Sequence, residues 1–159
     1  MSYKRVTLST SGIAKMIRKL ADDNVNVNLA LSLHAASEEI RNNIMPIGDS
    51  NSLNDLRDSL KYYFSKTKRK ITYEYVLLKD VNDRIKDADD LYKFTKHIPS
   101  KVNLIEYNPV DGFPFKKSSS NKTNKFIEFL ENKNIIVNLR RSKGKDINAA
   151  CGQLVNKLK

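Results

Sequence analysis

The sequence predicts an α/β fold of about five mostly parallel strands alternating with helices, and three observations predict it. Short β-like apolar runs recur along the chain, and between them apolar residues return at helical spacing. The alternation continues over the whole length without a clear linker, the pattern of βαβ units in one layer system. The strands number about five, too few for an ordinary closed eight-stranded barrel, so an open doubly wound sheet and a piece of a barrel are the two candidates.

Each element has its own signal. Arg5 to Leu8 forms a β-like run ended by Ser9, Thr10, Ser11 and Gly12, and Ile13, Ile17 and Leu20 then mark a helix. Val25 to Leu33 reads as a second strand, followed by Ser37, Glu38 and Glu39, which suit a helix's first turn. Pro46 and Gly48 break that segment, and Ser52 caps a helix with Leu53, Leu56, Leu60 and Phe64 on one face. Ile71 to Leu78 alternates as a strand, the helix near Ile85 to His97 is closed by Pro99, and Val102 to Tyr107 is the next strand. A loop with Asn108, Pro109, Gly112 and Pro114 follows, then a helix through Phe126, Phe129 and Leu130 and the strand Ile135 to Leu139. Ile147 to Leu158 reads as a short final helix, and Lys116 to Lys122, with its three serines, as a mobile surface loop.

Composition bounds the function. The chain has 159 residues, 40% of them apolar, enough for one packed core. No apolar run approaches the roughly 20 residues that span a bilayer, so the expectation is a cytoplasmic protein with no membrane partner. One cysteine, Cys151, excludes an internal disulfide and a Cys-rich metal site of the chain's own. A formal net charge of +11, from 29 Lys and Arg against 18 Asp and Glu, favours polyanions such as RNA. Solvated lysine-rich helix faces account for the same charge.

In parallel α/β folds ligands gather beyond the carboxyl ends of the strands. The positions to weigh there are Ser9 to Gly12, Ser32-Leu33-His34-Ala35, Tyr107-Asn108-Pro109 and Arg140 to Asp146. The serine-rich turn offers hydroxyl and amide donors, and is equally ordinary capping chemistry. His34 is placed to titrate, to bind a cofactor or to orient a loop; Asn108 suits an adenine edge or a ribose, and also starts a turn. Cys151 sits among small neighbours with Arg140, Arg141, Lys143 and Lys145 close in sequence, an environment that lowers a thiol pKa. A small buried hydrophobe is the other reading of a lone cysteine. No phosphate loop, Gly-x-Gly-x-x-Gly, nucleophile elbow or zinc spacing is present.

Arg5-Val6-Thr7-Leu8-Ser9-Thr10-Ser11-Gly12, Leu31-Ser32-Leu33-His34-Ala35, Glu39-Ile40-Arg41 and Tyr73-Glu74-Tyr75-Val76-Leu77-Leu78 follow one another in an order that resembles the RlmN/Cfr family of RNA methyltransferases. Val102-Asn103-Leu104-Ile105, Tyr107-Asn108-Pro109 and the specific ending Asp146-Ile147-Asn148-Ala149-Ala150-Cys151-Gly152-Gln153-Leu154 extend the resemblance over nearly the whole chain. It implies that residues 1–159 are the C-terminal portion of a radical S-adenosylmethionine (SAM) core, a partial TIM-type barrel. The implied activity is methylation of adenine carbon 2 in 23S rRNA and tRNA; other family members act on carbon 8. The implied cofactors are SAM and a 4Fe-4S cluster, with an electron donor such as flavodoxin.

Under that resemblance Cys151 is the S-methylcysteine carrier, and Ser9, Ser32, Leu33, His34 and Asn108 contact SAM. Arg140, Arg141, Lys143 and Lys145 are then placed to hold RNA backbone near Cys151. The Cys-x-x-x-Cys-x-x-Cys cluster motif, a resolving cysteine, a Gly-Glu strand, the general base and the N-terminal accessory domain are missing from this sequence. All would precede residue 1, so the chain is expected to be a fragment, an alternative-start product or the product of an incomplete gene that does not complete catalysis alone, and a separate N-terminal half chain is a candidate partner. A basic RNA-binding half-barrel without turnover and an inactive remnant are the alternative expectations.

Overall fold

The computed structural model describes residues 5–45 and 51–141. The element order is β1 (Thr7–Thr10), α1 (Ala14–Asp22), β2 (Asn28–Ser32), α2 (Glu38–Ile44), α3 (Leu53–Thr67), β3 (Ile71–Leu77), α4 (Ile85–Thr95), β4 (Ser100–Glu106), α5 (Ser120–Asn132) and β5 (Ile136–Arg140). The expected final helix after Ile147 lies outside the described residues.

The five strands form one sheet in the order β1-β2-β3-β4-β5, every neighbouring pair parallel. This order decides between the two architectures. A doubly wound sheet reverses direction at a switch point, whereas consecutive parallel strands joined by right-handed crossovers put every crossover helix on one face, as in a barrel wall. The fold is a singly wound α/β layer.

Local chemistry explains the helix starts. The Ser52 hydroxyl accepts the Asp55 amide at 3.1 Å and caps α3, while α5 is capped by Ser119, whose hydroxyl accepts the Lys122 amide at 3.3 Å. The Asp87 carboxylate reaches back to the Arg84 amide at 2.9 Å and caps α4.

The core lies between the sheet and its helices. Leu29, Leu31, Ile71, Tyr73, Tyr75, Val102 and Leu104 point to that side and meet Ile17, Leu56, Leu60, Leu91, Phe94 and Phe126, all buried. The Tyr73 ring meets Phe94 edge-on at 5.8 Å between centroids, and Tyr75 packs on Phe126 at 5.4 Å. Burial along β3 alternates strictly, so Thr72, Glu74 and Val76 face the other, only half-buried side.

One expectation needs correction. The segment from Lys116 to Lys122 is tied down rather than a loose loop: Leu78 and Lys117 form an antiparallel bridge, and buried Ser118 donates to the Asp83 carboxylate at 2.7 Å. Lys122 then reaches Asp83 at 3.3 Å and also pairs with Asp80. The serine run carries a buried anchor followed by a helix cap, roles that composition alone does not distinguish from mobility.

Candidate active site at the open face of the sheet

Parallel pairing lines up polar residues in rows across the face that carries no helices. Ser32 on β2 stands beside Glu74 on β3, Glu74 beside Asn103 on β4, and Asn103 beside Asn138 on β5. Asn103 donates its amide to Glu74 Oε1 at 2.8 Å, and Asn138 donates to Asn103 Oδ1 at 3.2 Å. One row earlier, Ser9 on β1 stands beside Ala30, and Ala30 beside Thr72. Ser9 and Ser32 therefore share this face, because Ala30 and Ser32 are two residues apart on one strand.

The row holds an unmet acceptor. Glu74 Oε2 is buried without a hydrogen-bond partner, and the nearest cation, Arg140 Nη1, stands 3.6 Å away. A buried carboxylate oxygen without a donor is costly and marks a place where a ligand hydroxyl or ammonium would be held. The sequence reading did not single out Glu74, Asn103 or Asn138 for chemistry. Their signal is a polar residue at every second position of otherwise apolar strands, visible once the buried face is known.

The β1–α1 turn packs over the helix-side core. Gly12 has φ +100°, and a methyl group there would stand 3.0 Å from Leu31 Cδ1 and 3.1 Å from Arg41 Nη2. Arg41 is buried and donates through Nη2 to the Ser11 carbonyl at 2.8 Å, while its Nε and Nη1 have no partner. Burial pulls the Arg41 guanidinium below its ordinary pKa, opposed by the Glu38 carboxylate.

The sequence-derived residues occupy distinct places. Ser9 is exposed on β1, and Ser32 is half-buried at the end of β2. Leu33 buries its side chain in the core, so only its main chain faces a ligand. His34 follows with φ +58° and a pKa pulled down to about 4, first by burial and then by the Arg41 charge. Asn108 is half-buried two residues after β4, and Arg140 and Arg141 are exposed at the end of β5. Lys143, Lys145 and Cys151 lie outside the described residues. Among the described residues no three His, Cys, Asp or Glu groups are placed to hold a metal, and no helix is long and apolar enough to cross a membrane.

The chain is 57% identical over 157 residues to a probable dual-specificity RNA methyltransferase RlmN of Flavobacterium psychrophilum, and 54% identical to the protein of that name in Christiangramia forsetii. Over almost its whole length the chain is similar to RlmN proteins. Each alignment takes in 99% of this chain and 45% of the relative, so the chain spans about half the length of the curated relatives it matches. The crystal structure of a radical SAM methyltransferase from Sphaerobacter thermophilus superposes with a TM-score of 0.91 at 36% identity, over 96% of this chain and 45% of that one. No family model matches the chain.

Proposed function

We propose that residues 1–159 are the C-terminal portion of the radical SAM core of an RNA methyltransferase that modifies adenine carbon 2 in rRNA and tRNA. The observation that carries this reading is the polar row Ser32, Glu74, Asn103 and Asn138 on the helix-free face of a singly wound sheet, in a chain of RlmN-type sequence. A zwitterionic, hydroxyl-rich sulfonium ligand fits that surface: unpartnered Glu74 Oε2 accepts from a hydroxyl or ammonium, and Ser9, Ser32 and Asn108 supply further polar contacts. Bound SAM supplies an activated methyl group.

Cys151, as a thiolate, would be the acceptor of that methyl group. Arg140, Arg141, Lys143 and Lys145, close to Cys151 in sequence, are the residues that would hold RNA phosphates. One cysteine does not fit a 4Fe-4S cluster, whose ligands would have to come from a second polypeptide segment. Pairing of these arginines and lysines with RNA phosphates releases counterions, so RNA binding would weaken steeply as salt rises.

The test is intact-protein mass spectrometry after the chain, joined to a cluster-bearing half under anaerobic conditions, meets SAM. One methyl group on the wild type and none on Cys151→Ala is the expected result. An unmodified wild-type Cys151 in folded, cluster-loaded protein would overturn the carrier role and favour an RNA-binding half-barrel without turnover.

A further inference from the structure

The amino-terminal end of the sheet carries a groove that the candidate active site does not use. It has a volume of about 490 Å³ and lies where α4 and α5 end and β4 and β5 begin, opposite the carboxyl ends of the strands. Lys70, Lys96, His97 and Lys133 line it together with Tyr92, and no acidic side chain does. The charge extends past the rim. His97 is held below its ordinary pKa, first by lost hydration and then by the Lys61, Arg57 and Lys96 charges.

The lysines are drawn together without counter-charges. Lys96 Nζ lies 5.8 Å and Lys133 Nζ 5.5 Å from the centre of the same Tyr92 ring, and Lys133 Nζ is also 5.9 Å from the centre of Phe129. On other helix faces Lys19 finds Asp23 and Lys93 finds Asp89 one turn away, at 2.7 and 2.6 Å. Lys70, Lys96 and Lys133 make no ion pair among the described residues. The helix macrodipole accounts for a lysine at the end of α4 and at the end of α5, each taken singly. It does not account for two ammonium groups over one ring, whose mutual repulsion an anion relieves.

We propose that this groove is a second contact surface for the phosphate backbone of RNA, at the end of the sheet opposite the candidate active site. The choice of RNA rests on the methyltransferase reading above. The class of anion follows from the groove: its cations are exposed and spread over the ends of α4 and α5 and the start of β3, so they suit a row of phosphates rather than one enclosed ion. The seven residues of β4 span about 23 Å, less than one turn of a nucleic-acid duplex, so a single RNA reaches both ends of the sheet. Phosphates carry no sequence information, and the groove therefore adds affinity and leaves the choice of base to the other end.

Fluorescence anisotropy of a fluorescein-labelled RNA hairpin with the 159-residue chain, over a potassium chloride series, tests this. The groove variant Lys70→Gln/Lys96→Gln/Lys133→Gln is compared with wild type and with Lys15→Gln/Arg18→Gln/Lys19→Gln, which removes the same charge from α1 at the other edge of the sheet. The groove variant is expected to keep its unfolding temperature, to bind roughly tenfold more weakly at low salt, and to show a salt slope shallower by about 2. The α1 variant is expected to stay close to wild type. Equal losses in the two variants, or none in the groove variant, overturn the proposal and leave RNA to the carboxyl ends of the strands. So does a wild type that binds no RNA, or one that prefers polyglutamate to the hairpin, which marks the groove as a seat for an acidic protein segment. Methylation of Cys151, measured separately, decides the methyltransferase reading, so the two failures are told apart.

Discussion

The two faces of one sheet follow opposite rules. On the helix side, Leu31, Tyr73, Tyr75 and Leu104 are buried against helices, and the Tyr75 hydroxyl donates to the Asn82 carbonyl. On the open side, the alternate residues of the same strands are Ser32, Glu74 and Asn103, which bond sideways to one another or stay unpartnered. The first face stabilises the fold, and the second holds polar atoms in register at some cost to stability. The difference teaches that a period of two places core and site on the same strands, one residue apart.

Substitution separates the faces. Tyr75→Ala removes a buried ring and the hydroxyl on Asn82, and is expected to cost about 3–5 kcal/mol in urea unfolding. A loss under about 1 kcal/mol would show that the helix side is not the stabilising face. Acid reads the boundary at His34. Its folded pKa, about 4, lies below the ordinary 6.5, so between those values the unfolded chain binds more protons. His34's contribution is fully present above about pH 6.5 and is lost as pH falls towards 4, by a few kcal/mol. Unfolding midpoints of wild type and His34→Gln across that window check it; parallel curves would place His34 in an ordinary solvated setting.

Gly12→Ala puts a methyl group 3.0 Å from Leu31 at a positive φ, for an expected loss of about 1–3 kcal/mol by thermal unfolding. The smallest effect belongs to the open face. Glu74→Gln keeps the bond to Asn103 and drops the charge near Arg140, so stability is expected to move by less than about 1 kcal/mol while SAM affinity falls. A stability loss as large as that of Tyr75→Ala would remove the distinction between the faces.

Much of the fold was legible because its signals are local. The run from Ile71 to Leu78 alternates, Ser52 caps α3, and apolar spacing marks α1, α3 and α5. The site was legible only as strand ends. Ser9, Ser32 and His34 were singled out by position, whereas Glu74 and Asn138 looked like ordinary polar strand residues. Asn82 was invisible, since its partners His34 and Val76 meet it only after β2 and β3 pair. Ser118 misled for the same reason: its acceptor, Asp83, lies 35 positions away.

By itself the sequence determined the alternation of strands and helices, the basic charge and the RlmN-type strings, because these depend on neighbours within a few residues or on composition. Tertiary structure decided the strand order that makes the sheet singly wound, which polar residues share its open face, and the bond from the Val76 amide to the His34 ring. These rest on hydrogen bonds between residues distant in sequence, and a backbone pairing register exists only once the strands lie side by side.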